Sequence, residues 1–288
     1  MAENKTQISI LGCGWLGLPL AVSLLDDGFL VKGSTTSESK LSELEEKGID
    51  SFLIVLSEKD IIGNVRDFLN DSEILIIDIP PKLRRIDKEN FVSKISNLIP
   101  FIEKSSVKKV LFVSSTSVYA DNNLVVTEET IAKPDSESGK QLLEVEAILQ
   151  NNKYFKTTVL RFGGLIGLDR HPVKYMAGRN NIENPKAPVN LIAISDCIGI
   201  IKKIVNYREL AEGSSELVEG SSELVEAWGE IFNAVNPKHP TKKEYYTQKA
   251  IDFGLAIPNF DSNSKNDFKI VSSEKVIEIL KYTFIENL

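Results

Sequence analysis

Cysteine and histidine are nearly missing from this 288-residue sequence, which has Cys13, Cys197, His171 and His239 and no others. Two isolated thiols cannot form a disulfide framework, so a reducing, cytoplasmic setting is expected. Without a Cys/His cluster no metal site is expected. Basic residues are outnumbered as well. The 34 Lys and Arg face 41 Asp and Glu, a net charge of −7. A nucleic-acid partner needs a basic face, so none is expected. No apolar run reaches the ~18 residues of a membrane span, and no membrane partner is expected either. Residues 1–7 are polar and lead straight into a strand pattern, with no signal-peptide character. What is present is ordinary globular composition, 42% hydrophobic and 26% charged. The length suits one large α/β domain with a smaller appendage.

Short β-branched runs alternate with longer helical patterns through the first half. Strands are predicted at 8–11, 29–32, 51–55, 74–79, 110–114 and 157–161. Helical patterns fill the gaps, notably 39–47, 90–103 and 140–150. This spacing predicts a parallel sheet covered on both faces. Beyond residue 162, glycines and prolines break up a loop-rich stretch before an expected strand at 189–194, a helix at 196–205 and a strand at 232–235. Two helical patterns, 242–253 and 273–280, flank an extended piece at 269–271. The resulting expectation is a Rossmann-type doubly wound α/β fold. Its dinucleotide-binding part would be 1–162 with 189–235, and a small substrate-side cap would be 163–188 with 236–288. Within 212–227 the heptapeptide Gly-Ser-Ser-Glu-Leu-Val-Glu occurs twice in tandem, which reads as a duplication in a surface insertion.

One motif carries chemistry. Gly12-x-Gly14-x-x-Gly17 follows the first strand directly and opens a helix, with Trp15 and Leu16 inside the turn. Gly12 allows the tight turn, Gly14 lets a diphosphate approach the backbone, and Gly17 lets helix and strand pack closely. The helix start then offers free N–H groups and a positive dipole end. An NAD site usually carries an acid after strand two to bond the ribose 2′-hydroxyl. Here Ser34, Thr35 and Thr36 hold that place, near Lys32 and Lys40. Hydroxyls and a cation suit a 2′-phosphate, so NADP is favoured over NAD.

At strand five the sequence reads Val113-Ser-Ser-Thr-Ser-Val-Tyr119, which resembles the extended short-chain dehydrogenases, the NAD-dependent epimerase/dehydratase family. Residues 12–20, Pro80-Pro81, 136–140, Arg161 with Gly164 and Gly167, Arg170-His171-Pro172, Asn190 with Asp196, and 269–272 further resemble its atypical YeeZ-like branch. The resemblance implies a Tyr acid/base, a Lys four residues on that lowers its pKa and holds the nicotinamide ribose, and a Ser/Thr on the substrate oxygen. Ser115 matches the last and Lys140 the Lys. The Tyr position is Ser136, far too weak an acid, and a register shifted by two would put Ser138 and Leu142 there instead.

Three readings fill that gap. Tyr119 could be the acid/base, the proton could come from Tyr175 or a water, or the protein could bind NADP without redox chemistry as a sensor or regulator. The candidate site is therefore Ser115, Tyr119 and Lys140 for chemistry. Gly12, Gly14, Trp15, Leu16, Gly17, Ser34, Thr35, Thr36, Pro80, Pro81 and Lys140 would serve the cofactor. Arg161, Arg170, His171 and Asn190 would serve a small hydroxy or keto substrate. The resemblance also implies homodimers paired through the helices at 90–103 and 140–150.

Overall fold

Seven short apolar segments line up as one parallel sheet. They are β1 (Gln7–Leu11), β2 (Leu30–Thr35), β3 (Asp50–Leu53), β4 (Ile74–Ile77), β5 (Lys109–Ser115), β6 (Lys156–Phe162) and β7 (Ile231–Ala234). The computed structural model describes residues 5–81, 83, 89–167, 169–207, 226–265, 267–286 and 288. The strands run 3-2-1-4-5-6-7 across the sheet. The order reverses between β1 and β4, and an open α/β sheet forms a crevice at the carboxyl ends of its strands at such a point.

The helices are α1 (Gly17–Asp26), α2 (Leu41–Glu46), α3 (Val65–Leu69), α4 (Phe91–Glu103), α5 (Glu137–Gln150), α6 (Val173–Met176), α7 (Ile194–Val205), α8 (Lys242–Asp252) and α9 (Glu274–Leu280). Alternation along the strands assigns them to two layers. Ile8, Ile10, Ile74, Ile76, Leu160 and Phe162 pack with α1, α7 and α9 on one face. Leu75, Ile77, Val110 and Phe112 pack with α3, α4 and α5 on the other. A sheet buried on both faces needs near-continuous apolar strands, and all four residues of β4 are buried. Among the buried polar residues of the strands, Ser9 in β1 donates to the Phe68 carbonyl at 2.5 Å and pairs with Ser72 Oγ at 2.7 Å. This is the doubly wound Rossmann-type fold that the alternation predicts.

Two boundaries differ from expectation for a physical reason. β2 continues through Gly33-Ser34-Thr35 because both neighbours pair with it there, β1 at Gly33 and β3 at Gly33, Ser34 and Thr35. The expected strand at 189–194 is shorter, Leu191–Ala193, and pairs with Gly164–Ile166 outside the main sheet. The chain leaves the sheet after Phe162 because Gly163 passes against the Asn190 carbonyl, only 2.6 Å from where a Cβ would stand.

A third apolar cluster gathers Val173 from the 163–188 stretch and Tyr245, Tyr246 and Ala250 from the 236–288 stretch, together with Val189 between them. Helix α8 starts on a capping box, Thr241 with Glu244. The tandem heptapeptide lies outside the described residues except for Glu226. Among the described residues no helix is long and apolar enough to cross a membrane.

Candidate functional site

The glycine turn is built as its spacing demands. Gly12 has φ +107°, and a Cβ there would stand 2.4 Å from the Asp78 carbonyl oxygen. A Cβ on Gly17 would stand 2.2 Å from the Gly12 carbonyl oxygen, so the strand and helix can approach this closely only with glycine at both places. Gly14 differs, since a Cβ there would meet nothing within 4 Å. Its amide is spent on the Gly12 carbonyl at 2.8 Å. The amides of Trp15 and Leu16 have no acceptor among the described residues. The start of α1 thus presents unspent donors toward open space, the arrangement that binds a diphosphate.

That space is a cavity of about 530 Å³ reaching from the turn across the carboxyl ends of β2, β4 and β5. Thr36, Ser37 and Lys40 line one end, Pro80 and Pro81 a side, and Ser114 and Ser115 the far end. Ser34 contributes to its wall, yet the Ser34 hydroxyl accepts from Gly12 N–H at 3.0 Å and the Ser34 carbonyl from Cys13 N–H at 2.7 Å. Ser34 therefore holds the turn. Thr35 Oγ1 accepts from Ser37 N–H at 3.2 Å. Lys32 is turned away, donating to the Asp67 and Asn70 carbonyls at 2.7 and 2.9 Å at the end of α3. Of the two lysines considered for a 2′-phosphate, Lys40 is the one on the cavity. The buried Cys13 thiol is pushed up to about 12 by burial and then by the Asp78 charge, and is inert.

Two groups close the cavity over α1. Trp15 Nε1 donates to both Asp169 oxygens at 3.0 and 3.1 Å. The Arg170 guanidinium lies 5.0 Å from the centre of the Trp15 ring and lines the cavity. From below comes Asp78, just past β4, which the motif reading missed. Its carboxylate accepts from the Gly17 amide, and burial pushes its pKa up to about 7 against the pull of that amide and of Arg170. A lone acid inside the apolar run 74–79 was the available signal.

The chemistry end departs further from expectation. Ser115 borders the cavity and also a second, polar cleft of about 400 Å³ lined by Asn184, Asn190, Lys242, Phe268 and Lys269. Ser115 Oγ accepts from Ser117 N–H at 3.1 Å, leaving its own O–H to donate. Lys140 is exposed on another surface beside Lys133 and Glu144, away from both clefts. Ser136 caps α5, accepting from Gly139 N–H at 3.1 Å. With α5 starting there, Leu142 is the α5 residue on the cavity wall. The phase of the helix thus places Lys140 off the cavity.

Tyr119 and Arg161 form a pair of their own. Both are interior, 3% and 4% exposed, and neither lines the cavity or the second cleft. Arg161 Nη2 meets Glu146 Oε2 at 2.6 Å, Arg161 Nη1 donates to Tyr119 Oη at 2.6 Å, and Ser114 Oγ donates to Glu146 Oε1 at 2.5 Å. Tyr119 Oη in turn lies 3.0 Å from both Asn233 Oδ1 and the Thr127 carbonyl. Burial raises the Tyr119 pKa despite the Arg161 cation, the opposite of what a proton carrier at neutral pH needs.

Asn190 spends both amide atoms on the chain, donating to the Lys269 carbonyl and accepting from Val271 N–H, each at 2.9 Å. His171 is 5% exposed in the third cluster, stacked on Tyr245 and Phe253. The Val173 amide donates to His171 Nδ1 at 3.2 Å, so Nε2 carries the proton toward Tyr245 Oη at 2.9 Å. Burial lowers its pKa. Tyr175 is 73% exposed, outside both clefts. Among the described residues no three His, Cys, Asp or Glu side chains converge as a metal-ligand group.

No family model matches the chain. Protein YeeZ of Escherichia coli K12 is 30% identical over 281 residues, covering 96% of this chain and 95% of its own. Among solved structures, the UDP-glucuronic acid 4-epimerase of Bacillus cereus in complex with NAD superposes with a TM-score of 0.74 at 15% identity, covering 98% of this chain and 94% of that one. A short-chain dehydrogenase/reductase superfamily protein of Agrobacterium tumefaciens with bound NAD gives 0.73 at 18% identity, covering 98% and 93%.

Proposed function

Since the chain belongs to the YeeZ-like branch of the atypical extended short-chain dehydrogenases, the NAD-dependent epimerase/dehydratase family, we propose that it binds NAD(P) along the 530 Å³ cavity and works on a small hydroxy or keto compound in the adjoining cleft. The observation that carries this is the open face of Gly14 beside the unspent Trp15 and Leu16 amides. Those amides would take the diphosphate. Thr36, Ser37 and Lys40 would take the adenosine ribose, and the cation favours NADP over NAD. NAD-bound proteins of the same fold support the choice of dinucleotide.

When bound, the nicotinamide supplies a hydride acceptor or donor. Ser115, where the two clefts meet, would hold the substrate oxygen through its O–H. The 163–188 and 236–288 segments would act as the substrate-side cap. Among the described residues no Tyr–Lys pair faces this point, so the proton would come from water, and the ~10²–10⁴-fold contribution of a placed acid/base is forgone. A non-catalytic NADP sensor is the second reading, favoured by Leu142 standing on the cavity wall.

Two measurements test these readings. NADPH should raise the melting temperature of the wild type, and Gly14→Leu should abolish that shift while leaving the apo melting temperature within a few degrees, because the new side chain has room. A wild-type protein that shows no shift with NADPH or NADH ends the dinucleotide reading. Turnover is followed as loss of nicotinamide absorbance over a panel of carbonyl compounds. Binding without turnover on any of them rejects the enzyme in favour of the sensor.

A further inference from the structure

We propose that Arg170 is a ligand of the dinucleotide diphosphate, so that cofactor binding clamps the 163–188 segment onto the first turn of α1. The inference rests on the dinucleotide reading above. It gives to the cofactor a side chain that sequence reasoning gave to the substrate.

Position is the first argument. The guanidinium carbon lies 5.0 Å from the centre of the Trp15 ring, and Trp15 is the residue after Gly14 in the turn. Arg170 therefore hangs over the same open space that the free amides face. It lines the cavity of the glycine turn and is absent from the lining of the polar cleft where a substrate would lie.

The ring that carries it is held from two sides. Trp15 Nε1 donates to Asp169 at 3.0 and 3.1 Å, and Gly167 is pressed so close that a Cβ there would stand 2.7 Å from Trp15 Cζ2. The turn at Gly167 is closed by paired backbone bonds, Gly167 N–H to the Arg170 carbonyl at 2.8 Å and Arg170 N–H to the Gly167 carbonyl at 3.2 Å. These contacts bring one cation to the start of one helix.

The cation is also uncommitted. Arg170 is exposed, and among the described residues no carboxylate lies within ion-pair distance of its guanidinium. Its field reaches the Asp78 carboxylate under the turn. A guanidinium whose carbon lies 5.0 Å from the centre of an indole ring keeps N–H groups available, and its planar fork matches two phosphate oxygens. Among the described residues Asp78 is the one carboxylate in the cavity lining, and a diphosphate would bring more charge than one carboxylate.

Calorimetry with NADP⁺, ADP and adenosine on wild type, Arg170→Ala and Arg170→Lys tests this, with apo melting temperatures as the folding control. Charge-assisted hydrogen bonds contribute about 1.5–3 kcal/mol, so Arg170→Ala should weaken NADP⁺ and ADP by roughly 10- to 100-fold. Adenosine, without phosphates, should bind both proteins alike, and Arg170→Lys should recover part of the loss because a point charge replaces the fork. Unchanged affinity of Arg170→Ala for NADP⁺ and ADP, with wild type binding both, overturns the assignment and leaves the dinucleotide reading standing. An equal loss for adenosine also overturns it, since the residue would then merely support the site. A wild type that binds neither NADP⁺ nor ADP defeats the parent reading itself.

Discussion

The two ends of the cavity are built in opposite ways. At the glycine turn the chain leaves things undone, with an open face on Gly14 and, among the described residues, amides without acceptors and an arginine without a carboxylate partner. At the other end, apart from the Ser115 hydroxyl, most of the groups that might have done chemistry are consumed. Glu146, Arg161, Tyr119, Ser114 and Asn233 form one buried chain of hydrogen bonds beneath Ser115, and a leucine faces the cavity where a lysine was expected. Polar groups left unspent at a surface point to a ligand, whereas polar groups spent on one another are framework. A binding site and a catalytic site need not therefore be equally well supplied, and here the supply is at the binding end.

The sharpest way to break that contrast is to cut the buried chain. Arg161 and Glu146 are an interior ion pair, with side chains 4% and 2% exposed. Arg161→Ala leaves the carboxylate unpaired in a dry site and should cost ~3–5 kcal/mol, a fall in melting temperature of roughly 10 °C. If the pair is framework, replacing both partners by apolar residues, Arg161→Met with Glu146→Leu, should restore most of that loss. NADP⁺ affinity, measured well below the transition, should stay within about threefold, because the network is remote from the glycine turn. An Arg161→Ala protein of normal stability that no longer turns over substrate would return this residue to the active site and erase the distinction.

How much of this was legible follows the same divide. The glycine turn is a local object: a strand, three glycines at fixed spacing and a helix start are contiguous in sequence, and physics links them within six residues. The end of β2 was harder, because Gly33-Ser34-Thr35 reads as a turn until one knows that strands lie on both sides and that Ser34 Oγ takes the Gly12 amide. Arg161 and Tyr119 could not be placed, since their partners Glu146 and Asn233 come from other elements and only packing unites them. Lys140 was different. Leu142, Val145, Glu146 and Leu149 mark the buried face of α5 at helical spacing, and Lys140 is off it. Matching a motif outweighed a periodicity that was already on the page.

A smaller effect sharpens the binding end. Asp78 titrates near 7 when folded, raised by burial from about 4 in an unfolded chain. Folding therefore tightens its proton, and between those two values stability falls as pH rises, with no further loss above about 7. Asp78→Asn keeps an acceptor for the Gly17 amide and removes the titration. Asp78 is half-buried and lines the cavity, so the gain should be on the order of 1 kcal/mol, about 2–4 °C. The melting temperature of the variant minus that of wild type should grow from pH 4 to pH 7 and then level. A difference that stays flat with pH would mean that Asp78 is already ionised in the folded protein at pH 4 and that burial does not dominate it.

The smallest effect is the most discriminating, because it is a zero where the family pattern demands a large number. A lysine that held the nicotinamide ribose and lowered an acid's pKa would lie on the cavity, and its removal would cost orders of magnitude in rate as well as cofactor affinity. Lys140 instead extends from the exposed side of α5, beside Lys133 and Glu144, with the helix between it and the dinucleotide cavity. A solvated lysine of this kind makes no contact whose loss is felt, and substitutions at such positions fall within about 0.5 kcal/mol. Lys140→Ala should thus leave stability, NADP⁺ affinity and any turnover found on the carbonyl panel at wild-type values. Measured beside it, Leu142→Ala opens the cavity wall and should alter NADP⁺ binding, because that side chain faces the ligand space. The reverse pattern, with Lys140→Ala defective and Leu142→Ala normal, would mean that α5 turns by about half a revolution when the cofactor binds, and the chemistry end would then be assembled by the ligand and not spent in advance on the fold.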